Sequence, residues 1–73
     1  MLYSREVSVG NRRARDIIKK LKKSGFIEVS QKGSHRKLKK DDIVVIIPDH
    51  GRKDLGTGLI KAIEKQSGVN ILE

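Results

Sequence analysis

The reading of one stretch decides the fold of this chain: FIEVSQKGSHRKLKKDDIVVIIP, running from Phe26 to Pro48. Its first part, Phe26 to Ser30, reads as a short strand. Gln31-Lys32-Gly33 reads as a turn. Ser34 to Lys39 is polar, and it is read as a strand because it lies between two clearer ones. Lys40-Asp41-Asp42 has the residue types of a hairpin turn. Ile43 to Ile47 is a β-branched run, apolar at every position, and is expected to be the central or best-buried strand. Pro48 ends it, because proline cannot donate to a ladder.

Outward from this core the period changes. Ala14, Ile17, Ile18 and Leu21 recur at the spacing of one helix face, while Lys19, Lys20, Lys22 and Lys23 occupy the opposite face. Asn11 is a candidate cap, and Gly25 stands where a left-handed residue ends a helix. Asp49 to Gly56 reads as a loop. Thr57 is the expected N-cap of a last helix reaching about Gln66, with Leu59, Ala62 and Ile63 on its apolar face and Ile60 at the edge. Ser67-Gly68 terminates it. Val69, Ile71 and Leu72 either fold back on the core or extend as a last strand. Residues 1–13 carry no clean period and read as an extended or flexible arm; residues 14–73 form a single domain. The predicted class is α+β, in the order αβββα, with two helices packed on one face of a three-stranded antiparallel sheet. Ile17, Ile18, Leu21, Val45, Ile47, Leu59 and Ile63 are the expected core.

Composition narrows the function. A chain of 73 residues buries only ~60% of the surface its unfolded form exposes, so a site should be a surface groove, not a deep pocket. Lys and Arg number 17 against 9 Asp and Glu, a net charge of +8, which argues for a polyanionic partner. No apolar run approaches the ~20 residues a spanning helix requires, and Ser4, Arg5 and Glu6 interrupt any signal-peptide core. With no cysteine there is neither a disulfide framework nor a thiolate metal site. A cytoplasmic protein with no membrane partner is the simplest expectation. One Phe, one Tyr and no Trp exclude base-stacking platforms of the RRM or OB type. RNA, if bound, is held through backbone charge and shape.

Gln31-Lys32-Gly33-Ser34-His35 resembles the signature of the HicA family of bacterial toxins. Val45-Ile46-Ile47-Pro48 followed by His50 looks like that family's strand ending. Asp54 to Leu59, followed by Ile63 and Gln66-Ser67-Gly68, is similar to its last helix. The resemblance covers roughly residues 14 to 70. It implies a fold like that of double-stranded-RNA-binding domains. It also implies an mRNA interferase: a ribonuclease needing no metal or other cofactor, neutralised by a HicB-type antitoxin. By position, His35 is the implied catalytic residue. The chain departs from the family's pattern in having Arg36 directly after the histidine and an extra glycine, Gly58, at the start of the last helix.

The chemistry suits these residues. RNA carries its own nucleophile, the 2′-OH; cleavage needs a base for its proton, an acid for the leaving 5′ oxygen, and cations for the phosphorane charge. Histidine titrates near neutral pH and reaches both proton states. Lys32, Gly33, Ser34, Arg36 and Lys37 are the expected RNA contacts. Strand alternation puts Lys37 on the face of His35 and Arg36 on the other, which makes Lys37 the better helper. His50 is as well explained as a plain loop residue as by a helper role. His35, His50 and Asp49 do not make a metal site, because no third firm ligand accompanies the histidines. A module that binds duplex RNA without cutting it, or a toxin that has lost its activity, is the competing reading. The lysine cluster such a module carries at its last helix is missing around Leu55–Gly58. A helix-turn-helix is excluded by the three strands between the helices.

Overall fold

The computed structural model describes residues 12–72. The patternless segment with Val7, Val9 and Gly10 lies outside the described residues. The N-cap of the first described helix is Arg13 and not the expected Asn11, and it makes no side-chain cap hydrogen bond. The described elements run α1 (Ala14–Lys23), β1 (Ile27–Lys32), β2 (His35–Lys40), β3 (Ile43–Pro48) and α2 (Thr57–Ser67). The strands form one antiparallel sheet in the order β1-β2-β3. Both helices pack against β3, and α1 also against β1, so one face of the sheet is covered and the other is open. This is the expected α+β arrangement.

The covered face holds the core. Ala14, Ile17, Ile18 and Leu21 of α1 meet Leu38 of β2, Val45 and Ile47 of β3, and Ile60 and Ile63 of α2, with Phe26, Leu55 and Ile71 from the connections. Four details differ from the sequence reading. First, the polar strand β2 is the central one, and β3 is an edge, although β3 is the best-buried of the three strands, as the other half of that expectation had it. Only one face of the sheet is covered, so alternation buries Val45 and Ile47 and leaves Val44 and Ile46 exposed. Second, β1 extends through Lys32, and the turn is the two-residue Gly33-Ser34. Gly33 has φ +59°, the left-handed conformation that such tight hairpins require.

Third, α2 is rotated from the expected face. Ile60, Ile63 and Ser67 point inward, while Leu59 is 40% exposed and Ala62 is exposed as well. Leu55, buried just before the helix, starts this face, and the Gln66 amide, donating to the Val44 carbonyl at 2.8 Å, holds it. Fourth, Gly56 is the N-cap and Thr57 the first helical residue. The Thr57 hydroxyl accepts instead from Arg12 at 2.9 Å. The Leu55 N–H donates to the Arg12 carbonyl at 2.8 Å, and Arg13 bridges to Asp54. These two residues of the expected arm thus pack with the folded body.

The C-terminal segment folds back. One Glu64 carboxylate oxygen accepts the N–H groups of Ile71 at 2.6 Å and Leu72 at 2.7 Å, and the Lys20 ammonium donates to the Ile71 carbonyl at 3.0 Å. Ile71 is thereby buried between the helices. One lysine of the basic helix face therefore serves the fold.

Candidate active site

The hairpin turn sets the geometry. Because only Gly33 and Ser34 separate the strands, Lys32 at the end of β1 pairs directly with His35 at the start of β2. Ser30 pairs with Lys37, and Lys37 pairs on its other side with Ile46. These pairings put Ser30, Lys32, His35, Lys37 and Ile46 on the open face, where they line a hollow of about 220 Å³. His35 is exposed. Directly paired residues on one face stand about 4.5–5.5 Å apart at Cβ, so a phosphate in the hollow would be within reach of both ammonium groups and the imidazole.

A β-bulge makes this arrangement possible. The β1–β2 register slips between Glu28 and Ser30, leaving Val29 without a partner. Without the bulge, Glu28 and Ser30 would share a face. With it, Ser30 joins the open face, while Glu28 turns to the covered side opposite Leu38. There Glu28 accepts both Nε (2.8 Å) and Nη2 (2.7 Å) of Arg36. Arg36 Nη1 donates to Asp49 Oδ2 at 3.0 Å, and Lys22 lies 3.6 Å from Glu28. The Arg36 hydrogen bond is the main cause holding the Glu28 carboxyl below its ordinary value. Asp49 is also held low, first by the Gly51 N–H and then by Arg36. The Arg36 guanidinium is raised by the same partners, Glu28 foremost.

Of the residues singled out in the sequence, the structure brings Lys32, His35 and Lys37 together. Gly33 and Ser34 form the turn beside them. Arg36 lies on the opposite face, bound by two carboxylates. His50 is exposed in the loop after β3 and does not line the hollow. The exposed lysines of α1 stand on the helix layer, away from His35. Sequence reasoning missed Ser30, Ile46 and the structural part of Glu28. A bulge and a cross-strand register leave no local signal, so nothing in the linear pattern pointed to them. Among the described residues, no three His, Cys, Asp or Glu side chains gather as metal ligands, and no helix is long and apolar enough to cross a membrane.

The open face is also apolar in part. Ile27, Val29, Val44 and Ile46 are between 37% and 67% exposed. Ile27 and Val29, with Gly25, Lys39, Lys40 and Asp41, line a second hollow at the end away from His35.

The family model of the HicA toxin of bacterial toxin–antitoxin systems matches residues 14–69, spanning every helix and strand described. This chain belongs to the HicA toxin family. A HicA relative, described as a probable mRNA interferase, from Pseudomonas fluorescens (strain Pf0-1), is 43% identical over 49 residues; the match covers 67% of this chain and 82% of the relative. The HicA match takes in the Gly33-Ser34 turn, His35 and both lysines of the hollow.

Proposed function

We propose that this HicA-family chain is an endoribonuclease that cleaves mRNA, with His35 as general acid/base. The observation that carries this reading is the exposed hollow in which Lys32, His35 and Lys37 meet on the open face. The relative named a probable mRNA interferase supports the substrate class. In the proposed step, the imidazole of His35 takes the 2′ proton as the 2′ oxygen attacks phosphorus. The P–O5′ bond breaks, leaving a 2′,3′-cyclic phosphate and a 5′-hydroxyl. Lys32 and Lys37 neutralise charge on the phosphorane, and an ammonium of this pair supplies the proton to the departing oxygen. No protein nucleophile and no metal enter this step. One positioned acid–base group accounts for about 10²–10⁴-fold of the rate. Ser34 and Gly33 contribute the turn that presents the histidine.

The antitoxin, of HicB type by the family's pattern, is proposed to cover this same open face. Its exposed Ile27, Val29, Val44 and Ile46 are apolar area that a protein partner would bury, and Lys32, Lys37 and Lys39 among them fit an acidic one. The test is RNA cleavage in excess chelator by the wild type and by His35→Ala, with circular dichroism of both. Cleavage lost in a folded mutant supports the reading. Equal cleavage by both removes His35 from the chemistry. RNA binding without cleavage by either favours a non-cutting module.

A further inference from the structure

The two residues flanking His35 in the chain are both bonded to one residue of another segment. The Ser34 carbonyl accepts the N–H of Asp49 at 2.6 Å, and the Arg36 guanidinium donates to Asp49 Oδ2 at 3.0 Å. The residue facing His35 across the ladder is Pro48, immediately before Asp49. A bond from Asp49 to Ser34 is the one that flanks a non-hydrogen-bonded pair in an antiparallel ladder, so His35 and Pro48 exchange no backbone bonds themselves. The missing donor of Pro48 then points outward from the edge strand, where it is not needed. His35 is consequently held by its neighbours, and Asp49 is the shared anchor of both.

Asp49 is itself held. Its Oδ1 accepts the Gly51 N–H at 3.0 Å, closing a turn around His50. Through Arg36 it connects to Glu28, which takes the guanidinium with both oxygens, and Glu28 connects in turn to Lys22 on α1. The Asp49 and Arg36 side chains are only about one-fifth exposed, so this chain of ion pairs is shielded more than a surface pair. It runs under the sheet, on the face opposite the hollow. An Asx-type turn alone is commonplace; what singles out Asp49 is that its backbone and its side chain grip the two sides of the same histidine.

We infer that Asp49, acting through Ser34 and Arg36, is a positioning residue that fixes the His35 imidazole over the hollow. The inference rests on the proposed role of His35. It gives Arg36 a supporting function in place of direct RNA contact. A misplacement of about 1 Å in a catalytic group can lower a rate by 10²-fold, so loss of the anchor should be felt in turnover and not in substrate affinity.

The experiment is a double-mutant cycle on cleavage of a short RNA, using wild type, Asp49→Ala, His35→Ala and the double variant, with Asp49→Asn as the conservative variant. Rates are normalised to the folded fraction from thermal melts. Asp49→Ala is expected to lower kcat by tenfold to a hundredfold, with KM changed less than twofold. Asp49→Asn keeps one acceptor oxygen, enough for Arg36 or for the Gly51 N–H but not for both, and should recover part of the loss. In the His35→Ala background, Asp49→Ala should have no further effect. A full rate per folded molecule in Asp49→Ala, or an equal loss with and without His35, overturns the positioning role while leaving His35 catalysis intact. An active His35→Ala overturns the underlying reading instead. Backbone relaxation by NMR adds a readout independent of cleavage. Order parameters at residues 34–36 should fall in Asp49→Ala while those of Val45 and Ile47 hold; unchanged order at His35 overturns the proposal.

Discussion

Lys32 and His35 face each other across the first hairpin, with only Gly33 and Ser34 between them in the chain. Lys37 reaches the same hollow from two residues further along β2. A charge-assisted hydrogen bond to phosphate is worth about 1.5–3 kcal/mol. Replacing Lys32 or Lys37 by Ala should therefore reduce kcat/KM by about tenfold or more. Ala at Lys19 or Lys23, exposed on α1 away from the hollow, should change it by less than about twofold. Steady-state kinetics on one RNA separates these, and equal losses at all four positions would point to a diffuse charge effect.

Two glycines should respond to alanine with opposite signs. Gly33 sits at φ +59° with open space where an added methyl would stand, so the penalty is in the backbone. About 1–2 kcal/mol is expected, lowering Tm by about 4–8 °C per kcal/mol in a domain of this size. Gly58 lies in the first turn of α2, at ordinary φ and with open space on the side where a Cβ would project. Alanine there should raise stability by about 0.4–1 kcal/mol. Thermal melts of the two variants decide both.

Stability should fall in acid for a definable reason. Glu28, Asp49 and Glu64 all have carboxyls held below their ordinary values of 4.5, 3.8 and 4.5. For Glu64 the cause is first the Leu72 N–H and then that of Ile71. A carboxyl with a depressed folded pKa stabilises the fold above its ordinary value. That contribution is lost as pH falls through the depressed one, because the unfolded chain then binds more protons. Urea midpoints should be level from neutral pH to about 5 and decline below about 4.5. Glu28→Gln should flatten part of that decline; an identical acid profile in the variant would rule out the Glu28–Arg36 pair as a source.

The inward face of α2 can be tested by a pair of neighbours. Ile60 is fully buried and Leu59 is not. Ile60→Ala should cost about 2–5 kcal/mol, whereas Leu59→Ser should stay within about 0.5–1 kcal/mol. Denaturant unfolding measures both, and the reverse ranking would restore the face drawn from periodicity alone.

Several features were legible along the chain. The apolar spacing of Ala14, Ile17, Ile18 and Leu21 defined α1 and its buried face. The β-branched run before Pro48 defined a strand, and Gly33 marked the turn beside His35. Alternation alone put Lys37 with His35 and turned Arg36 away, because successive side chains on a strand must point to opposite faces. These are local consequences of backbone period and glycine sterics, so the order of residues was enough to fix them.

Other features depend on how separate segments meet in space. Which of two adjacent apolar residues, Leu59 or Ile60, enters the core depends on how α2 is anchored by Leu55 and Gln66, residues outside its own periodic run. The central place of the polar strand β2 depends on strand order, since a strand paired on both edges need not be apolar on both faces. The bulge at Val29 decides that Glu28 meets Arg36 below the sheet while Ser30 joins Lys37 above it. Asp49 acquires its hold on His35 only when the end of β3 is laid beside the start of β2. Within the sheet the cause is register. A one-residue shift moves a strand side chain to the opposite face, and register is set by pairing between segments, not by the order of residues within one.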